Sequence, residues 1–218
     1  SPPTPPTSPP SLLGRNTFTI MFNYNQIREA VLSLGYLWFD NGNYNLNIVG
    51  IRNSDTGNGI TNRFDDWVTV SYKIEGTPYC KIFNATTDPG THWAKNLLNP
   101  NGVAILKPGQ YRGSHMIGLH QGKYEALRQK APVKVYRDGD KDEIYDLVEE
   151  DVQNGIFGIN IHRASKWGTS TQIDKWSAGC QVIANNEDFD EFMSLARKGA
   201  QLYGNSFTYT LIESNNIV

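Results

Sequence analysis

The sequence predicts a mainly β domain of the α+β class, a sandwich or barrel with a few short helices. Three observations predict it. Turn signals crowd the centre of the chain, at Asp88-Pro89-Gly90, Asn99-Pro100-Asn101-Gly102 and Lys107-Pro108-Gly109. The pieces between and after them, Val103 to Leu106, Met116 to Leu119 and Val133 to Tyr136, are short and rich in strand formers. Only two stretches keep the 3.6-residue apolar period of a helix.

In chain order, residues 1 to 11 hold six of the eleven prolines among Ser and Thr. Such a segment favours an extended, solvated spacer, the kind that tethers one module to a larger assembly. From Gln26 to Leu34 the residues Ile27, Ala30, Val31 and Leu34 fall on one helical face, with Gly35 as C-terminal cap. A strand is expected at Leu46 to Ile51, then a polar run from Asn53 to Asn62, then an alternating strand with Val68, Val70, Tyr72 and Ile74. That polar run places a boundary, giving a linker at 1–11, a small helix-strand region at 12–56 and a main domain at 57–218. A second amphipathic helix runs from about Asp188 to Lys198, and a last strand uses Phe207, Tyr209 and Leu211.

Composition narrows the function. Twenty Lys and Arg against twenty-two Asp and Glu leave a net charge of −2, so no global field draws the protein to nucleic acid. No apolar stretch approaches the roughly 20 residues of a membrane span, and Ser1 to Pro10 lacks the basic and apolar regions of a signal peptide. The acidic run from Asp138 to Asp142 reads as a surface turn, since Glu143 stands where a calcium loop needs Gly.

The chemistry concentrates between His162 and Cys180. Gly158-Ile159-Asn160-Ile161-His162 is a β-prone run that aims an imidazole from a rigid strand. Cys180 follows Ser177-Ala178-Gly179, small residues that let backbone N–H groups approach a substrate carbonyl. A thiol, a base to take its proton and N–H donors for an oxyanion make a cysteine acyl-transfer site. This use of Cys180 outweighs a Cys80–Cys180 disulfide. No HExxH or paired CxxC spacing supports a zinc site from His115, His120, His162 and Cys180, so no metal or cofactor is expected. His115 and His120 are an odd number of residues apart on one strand, so at most one, preferably His120, lines the pocket.

His162, fourteen intervening residues, then Ser177-x-Gly179-Cys180 resembles the signature of the L,D-transpeptidase (YkuD) family. Lys107-Pro108-Gly109-Gln110-Tyr111 more loosely resembles that family's Pro-Gly-aromatic strand. The resemblance implies an L,D-transpeptidase-like β-sandwich or barrel over 57–218, with Cys180 as nucleophile and His162 as base. It further implies that the backbone carbonyl of Arg163 orients the imidazole and that Gly179 N–H serves the oxyanion. The implied substrates are peptidoglycan stem peptides, cleaved through an acyl-enzyme at the bacterial cell wall, in a periplasmic, extracellular or virion-associated setting. Ser177, Gln181, Tyr111, His120 and Trp176 are the expected substrate-binding residues. Ala178 and Val182 replace the His and the Arg or Asn of many members, leaving the substrate carboxylate to Arg163, Arg112 or Gln181. Two other outcomes fit the same residues: a transpeptidase forming cross-links, and a catalytically silent wall-binding or structural module.

Overall fold

A computed structural model describes residues 22–56, 64–88, 103–138, 147, 149–164, 166 and 179–218. Helix α1 (Tyr24–Ser33) opens with a capping box, in which Asn23 accepts from Gln26 N–H and the Gln26 side chain returns to Asn23 N–H. That cap starts the helix at Tyr24, which joins Ile27, Ala30 and Val31 on the buried face, while Leu34 is left exposed. Gly35, at φ +82°, ends the turn as expected.

Eight strands then close a barrel: β1 (Asn47–Arg52), β2 (Asp66–Ile74), β3 (Thr77–Thr86), β5 (Gly109–His120), β6 (Tyr124–Gln129), β9 (Ile161–Arg163), β10 (Gln181–Ile183) and β11 (Phe207–Glu213). Around the barrel the order is β1-β11-β5-β6-β9-β10-β3-β2. The remaining strands, β4 (Val103–Leu106), β7 (Val133–Asp138) and β8 (Gln153–Gly155), form a separate antiparallel sheet. Helix α2 (Asn186–Tyr203) follows β10 directly, capped by Asn185, whose side chain accepts from Asp188 N–H. Two barrel pairings are parallel, β1 with β11 and β9 with β10.

The mainly β expectation holds, with two α-helices among the described residues. The boundary at 56/57 does not hold as a division of the fold. Strand β1 is hydrogen-bonded to β2 on one side and β11 on the other, so cutting there would open the barrel.

Apolar side chains alternate across the barrel wall. Ile48, Val68, Val70, Ile161, Ile183 and Leu211 belong to the main core, which α2 closes with Phe189, Phe192, Met193 and Ala196. On the opposite face, Val49, Ile51 and Ile212 pack under α1. Each such fully buried side chain contributes about 1.5–3 kcal/mol. Gly50 has a steric role: a Cβ there would lie 2.0 Å from the hydroxyl of Tyr209, whose ring fills that space inside the barrel.

Among the described residues no helix is long and apolar enough to cross a membrane. The Pro-rich segment 1–11 and the acidic turn from residue 139 to 142 lie outside the described residues.

Candidate active site

Strand β9 carries His162, and β10 runs parallel beside it with Val182 opposite His162. Cys180 immediately precedes β10, where Gln181 N–H bonds to Asn160 O at 2.9 Å. Because side chains two apart share a face, Cys180 and His162 are delivered to the same side of the pair.

The imidazole of His162 is buried and its orientation is set by its neighbours. Its Nδ1 lies 2.9 Å from the carbonyl of Arg163 and 3.3 Å from the hydroxyl of Tyr124. A carbonyl can only accept, so Nδ1 carries the proton and Nε2 is left as a free-electron-pair base in the neutral ring. Tyr124 in turn donates to Arg163 O at 3.3 Å and lies under the Arg163 guanidinium, 4.1 Å from ring centre to Cζ.

His120, at the end of β5, stacks on His162 with ring centres 4.0 Å apart and planes 16° apart. Its Nδ1 is 3.0 Å from Asn160 Nδ2. The Asn160 amide cannot flip, because its Oδ1 accepts from Gln129 N–H at 2.9 Å. Nδ2 therefore donates, and the neutral His120 carries its proton on Nε2. Burial, followed by the charge of His120, lowers the pKa of His162 to about 3; burial also lowers that of His120, with Lys123 and Arg128 adding to the effect. Both rings are neutral near pH 7.

Cys180 is half-buried and donates from Sγ to Gly158 O at 3.2 Å, while Asn160 N–H, which bonds to Gly158 O at 2.8 Å, also reaches the sulfur. Burial pushes the thiol up to about 11, with the Asn160 N–H working against it. The resting site therefore holds a neutral thiol turned to Gly158 O and a neutral imidazole on the same face of the adjoining strand. Gly179 stands at φ +123°, and a Cβ on it would lie 2.4 Å from Ala104 O, so β4 and the site approach at a residue without a side chain.

The loop under the thiol hangs on Gln129. Its Nε2 donates to Ala131 O and Gly155 O, both at 2.9 Å, and its Oε1 accepts from Phe157 and Ile159 N–H at 3.2 and 2.9 Å. One buried amide thus fixes the backbone on either side of Gly158.

The other expected residues fall elsewhere. Gln181 is fully buried on the face away from Cys180, with Oε1 accepting from the Tyr209 hydroxyl at 2.7 Å. That commitment inside the barrel removes it from substrate binding and makes it a strut under the nucleophile strand. Tyr111 is also misplaced as a substrate contact, since it lies at the β11-paired end of β5 with its hydroxyl on Lys107 O and Lys134 O. Arg112 lines a separate cavity. Arg163 stays in the cluster, where Nη1 donates to Asn186 Oδ1 at 3.2 Å and Cζ lies over the Tyr124 ring.

His115 faces inward, as the odd spacing requires. Its Nε2–H donates to Ile159 O and its Nδ1 accepts from Ser114, each at 2.7 Å, and burial lowers its pKa to about 4. Cys80 and Cys180 are both free thiols. Among the described residues no group of three or more His, Cys, Asp or Glu is placed to hold a metal ion. Ser177, Trp176 and Ala178 lie outside the described residues.

Two members of the cluster were not anticipated, Asn160 and Tyr124. Asn160 was legible, being two residues before His162 and so on its face of a strand. Tyr124 gave no signal, because Tyr124–Gln129 mixes helix formers without clean alternation. Comparison of the chain with protein-family models, curated proteins and solved structures found no match in any of the three.

Proposed function

We propose that this protein is a cysteine L,D-peptidase of the L,D-transpeptidase type that cleaves peptidoglycan stem peptides at the bacterial cell wall. One observation carries the reading: His162 is locked as the Nδ1–H tautomer by Arg163 O, with Nε2 left basic, on the strand that pairs with the one Cys180 leads. A general base needs that tautomer and that rigidity. The spacing from His162 to Cys180 supplies the substrate class, and the barrel is compatible with the catalytic fold the resemblance implies.

The neutral resting pair determines how the reaction would start. Sγ surrenders its proton to His162 Nε2 as the S–C bond to the substrate carbonyl forms, and Asn160 N–H stabilises the sulfur as it loses that proton. Backbone N–H groups at Gly179 and Cys180 take the oxyanion role given by the resemblance. Collapse of the tetrahedral adduct breaks the C–N bond, with His162 returning the proton to the leaving D-amino acid. Water, deprotonated by the same Nε2, then releases the acyl group; an acceptor amine in its place would form a cross-link. Arg163, suited to bidentate carboxylate binding, is the substrate-carboxylate partner in this reading.

A second reading, a catalytically silent wall-binding or structural module, is favoured by the raised thiol and its hydrogen bond to Gly158 O. Digestion of muropeptides of defined stem composition, followed by mass spectrometry, separates the two. Loss of a terminal D-amino acid by the wild type and not by Cys180→Ala supports the peptidase. Product formation unchanged in Cys180→Ala sinks it, and no product on any stem selects the silent module.

A further inference from the structure

A second site lies where α2 ends against β5, β11 and the segment after α1. A cavity of about 450 Å³ opens there, within the range of small-molecule sites. Phe39, Tyr44, Tyr203 and Phe207 supply aromatic walls, and Arg112 contributes a guanidinium. None of the lining residues belongs to the cluster around Cys180, so the site stands or falls independently of the proposed function.

The cavity is built by irregular backbone. Tyr44 holds φ +52°, a left-handed conformation that is unusual for a bulky residue, and Gly113 and Gly204 at its edges also take positive φ. The β5–β11 register shifts between Phe207 and Tyr209, an interruption of the kind that re-aims side chains beside binding sites. The aromatic walls are held in place: Tyr44 stacks on Tyr72 with ring centres 5.4 Å apart, and the Tyr203 hydroxyl donates to Asn43 O at 2.7 Å.

The charge is one-sided. No Asp or Glu lines the cavity, and Arg112 has no hydrogen-bond or ion-pair partner among the described residues. Lys198 lies outside the lining, where its Nζ donates to the Tyr44 hydroxyl at 3.3 Å and helps to hold that ring. Ser206, which is exposed, lines the same space. We infer that this cavity binds a small carboxylate carried on a ring with an apolar face, with the ring against Tyr44 and Tyr203 and the carboxylate on Arg112. A guanidinium grips a carboxylate bidentately, and aromatic faces take the apolar face of either a sugar acid or an aromatic acid.

Calorimetric titration of the full chain with D-glucuronate and with phenylacetate tests this, alongside the neutral partners D-glucose and phenylacetamide. Saturable binding of at least one acid is expected, with the neutral partner and the Arg112→Gln protein each weaker by about 10- to 100-fold. Whichever acid binds tighter identifies the source as sugar or aromatic. Ser206→Trp, at an exposed position, should block the cavity and abolish binding while leaving the thermal midpoint unchanged. The inference is overturned if neither acid saturates by about 10 mM, if neutral partners bind equally, or if both variants bind like the wild type.

Discussion

Replacing Gly179 by Ala isolates how tightly the nucleophile turn is built against the small sheet. The new Cβ would lie 2.4 Å from Ala104 O and 3.2 Å from Ala104 Cβ. An ordinary carbon–oxygen contact is nearer 3.3 Å, so the backbone must retreat by roughly 1 Å, an overpacking cost of about 1–3 kcal/mol. The φ of +123° adds about 1–3 kcal/mol for a residue with a side chain. A control removes the second contribution: Gly76, in the turn joining β2 and β3, has φ +80° and nothing within 4 Å of an added Cβ. Gly76→Ala therefore reports the cost of a positive φ with no overlap, and the excess loss in Gly179→Ala reports the overlap together with the more extreme φ of +123°. Thermal unfolding followed by circular dichroism should place Gly179→Ala about 4–24 °C below the wild type, at roughly 2–4 °C per kcal/mol for a chain of this size. Gly76→Ala should lose markedly less. A Gly179→Ala midpoint equal to the wild type, or no lower than that of Gly76→Ala, would refute the close approach of Gly179 to β4.

Three further outcomes follow from the site. Iodoacetamide alkylation of Cys180, read by mass spectrometry, should keep accelerating with pH toward about 11; a plateau already reached between pH 5 and 8 would mean a preformed thiolate–imidazolium pair instead. Asp66 is buried, and burial followed by Asp88 raises its pKa to about 7, above its unfolded value. The folded state thus holds a proton that the unfolded state has lost between about pH 4 and 7, and stability from this group falls as pH rises through that window. Midpoints of wild type and Asp66→Asn measured across it should shift progressively in favour of the variant, and parallel curves would contradict the assignment. Gln129→Leu strips four backbone groups of their partners, at about 1–3 kcal/mol for each left buried, so its urea midpoint should fall steeply and Cys180 should alkylate faster; a wild-type midpoint would show that water replaces the amide.

Both helices and the strands with plain β-branched runs were legible because local pattern and final environment agree there. Val68, Val70 and Tyr72 alternate into the core, and Phe189, Phe192, Met193 and Ala196 repeat at helical spacing. Strands β3 and β6 were not legible. Their turns are Glu75-Gly76 and Gln121-Gly122, in which Glu and Gln take positive φ without being the Asn or Asp that advertise such a turn. Strand β8 is three residues long and too short for a period to show. At the site, the His162–Cys180 spacing pointed to a base and a nucleophile, while the parallel pairing of β9 with β10, the strand that Cys180 leads, was not foreseen. The stack of His120 on His162 depends on the path of β5 past β9, and the inward turn of Gln181 depends on Tyr209 reaching over Gly50; neither is encoded within a few residues. Tyr111 was misassigned because a Pro-Gly-aromatic string says nothing about which end of a bent strand meets the thiol.

The pairing of β1 with β11 has a consequence for the order in which the molecule assembles. It joins residues 47–52 to 207–213, and next to it Ser54 N–H bonds to a hydroxyl, that of Ser214, 160 positions away. Closing a loop of that length costs about 4 kcal/mol more chain entropy than closing a two-residue hairpin, so local hairpins such as β2–β3 form first and the barrel seals late. Tyr209 sits on β11, between β1 and β5, so the hydroxyl that holds Gln181 beside Cys180 is fully seated only once both long-range pairings are made. An unsealed chain can therefore own every residue of the cluster and still lack the strut beneath its thiol, which ties the maturation of the site to the slowest contact in the fold.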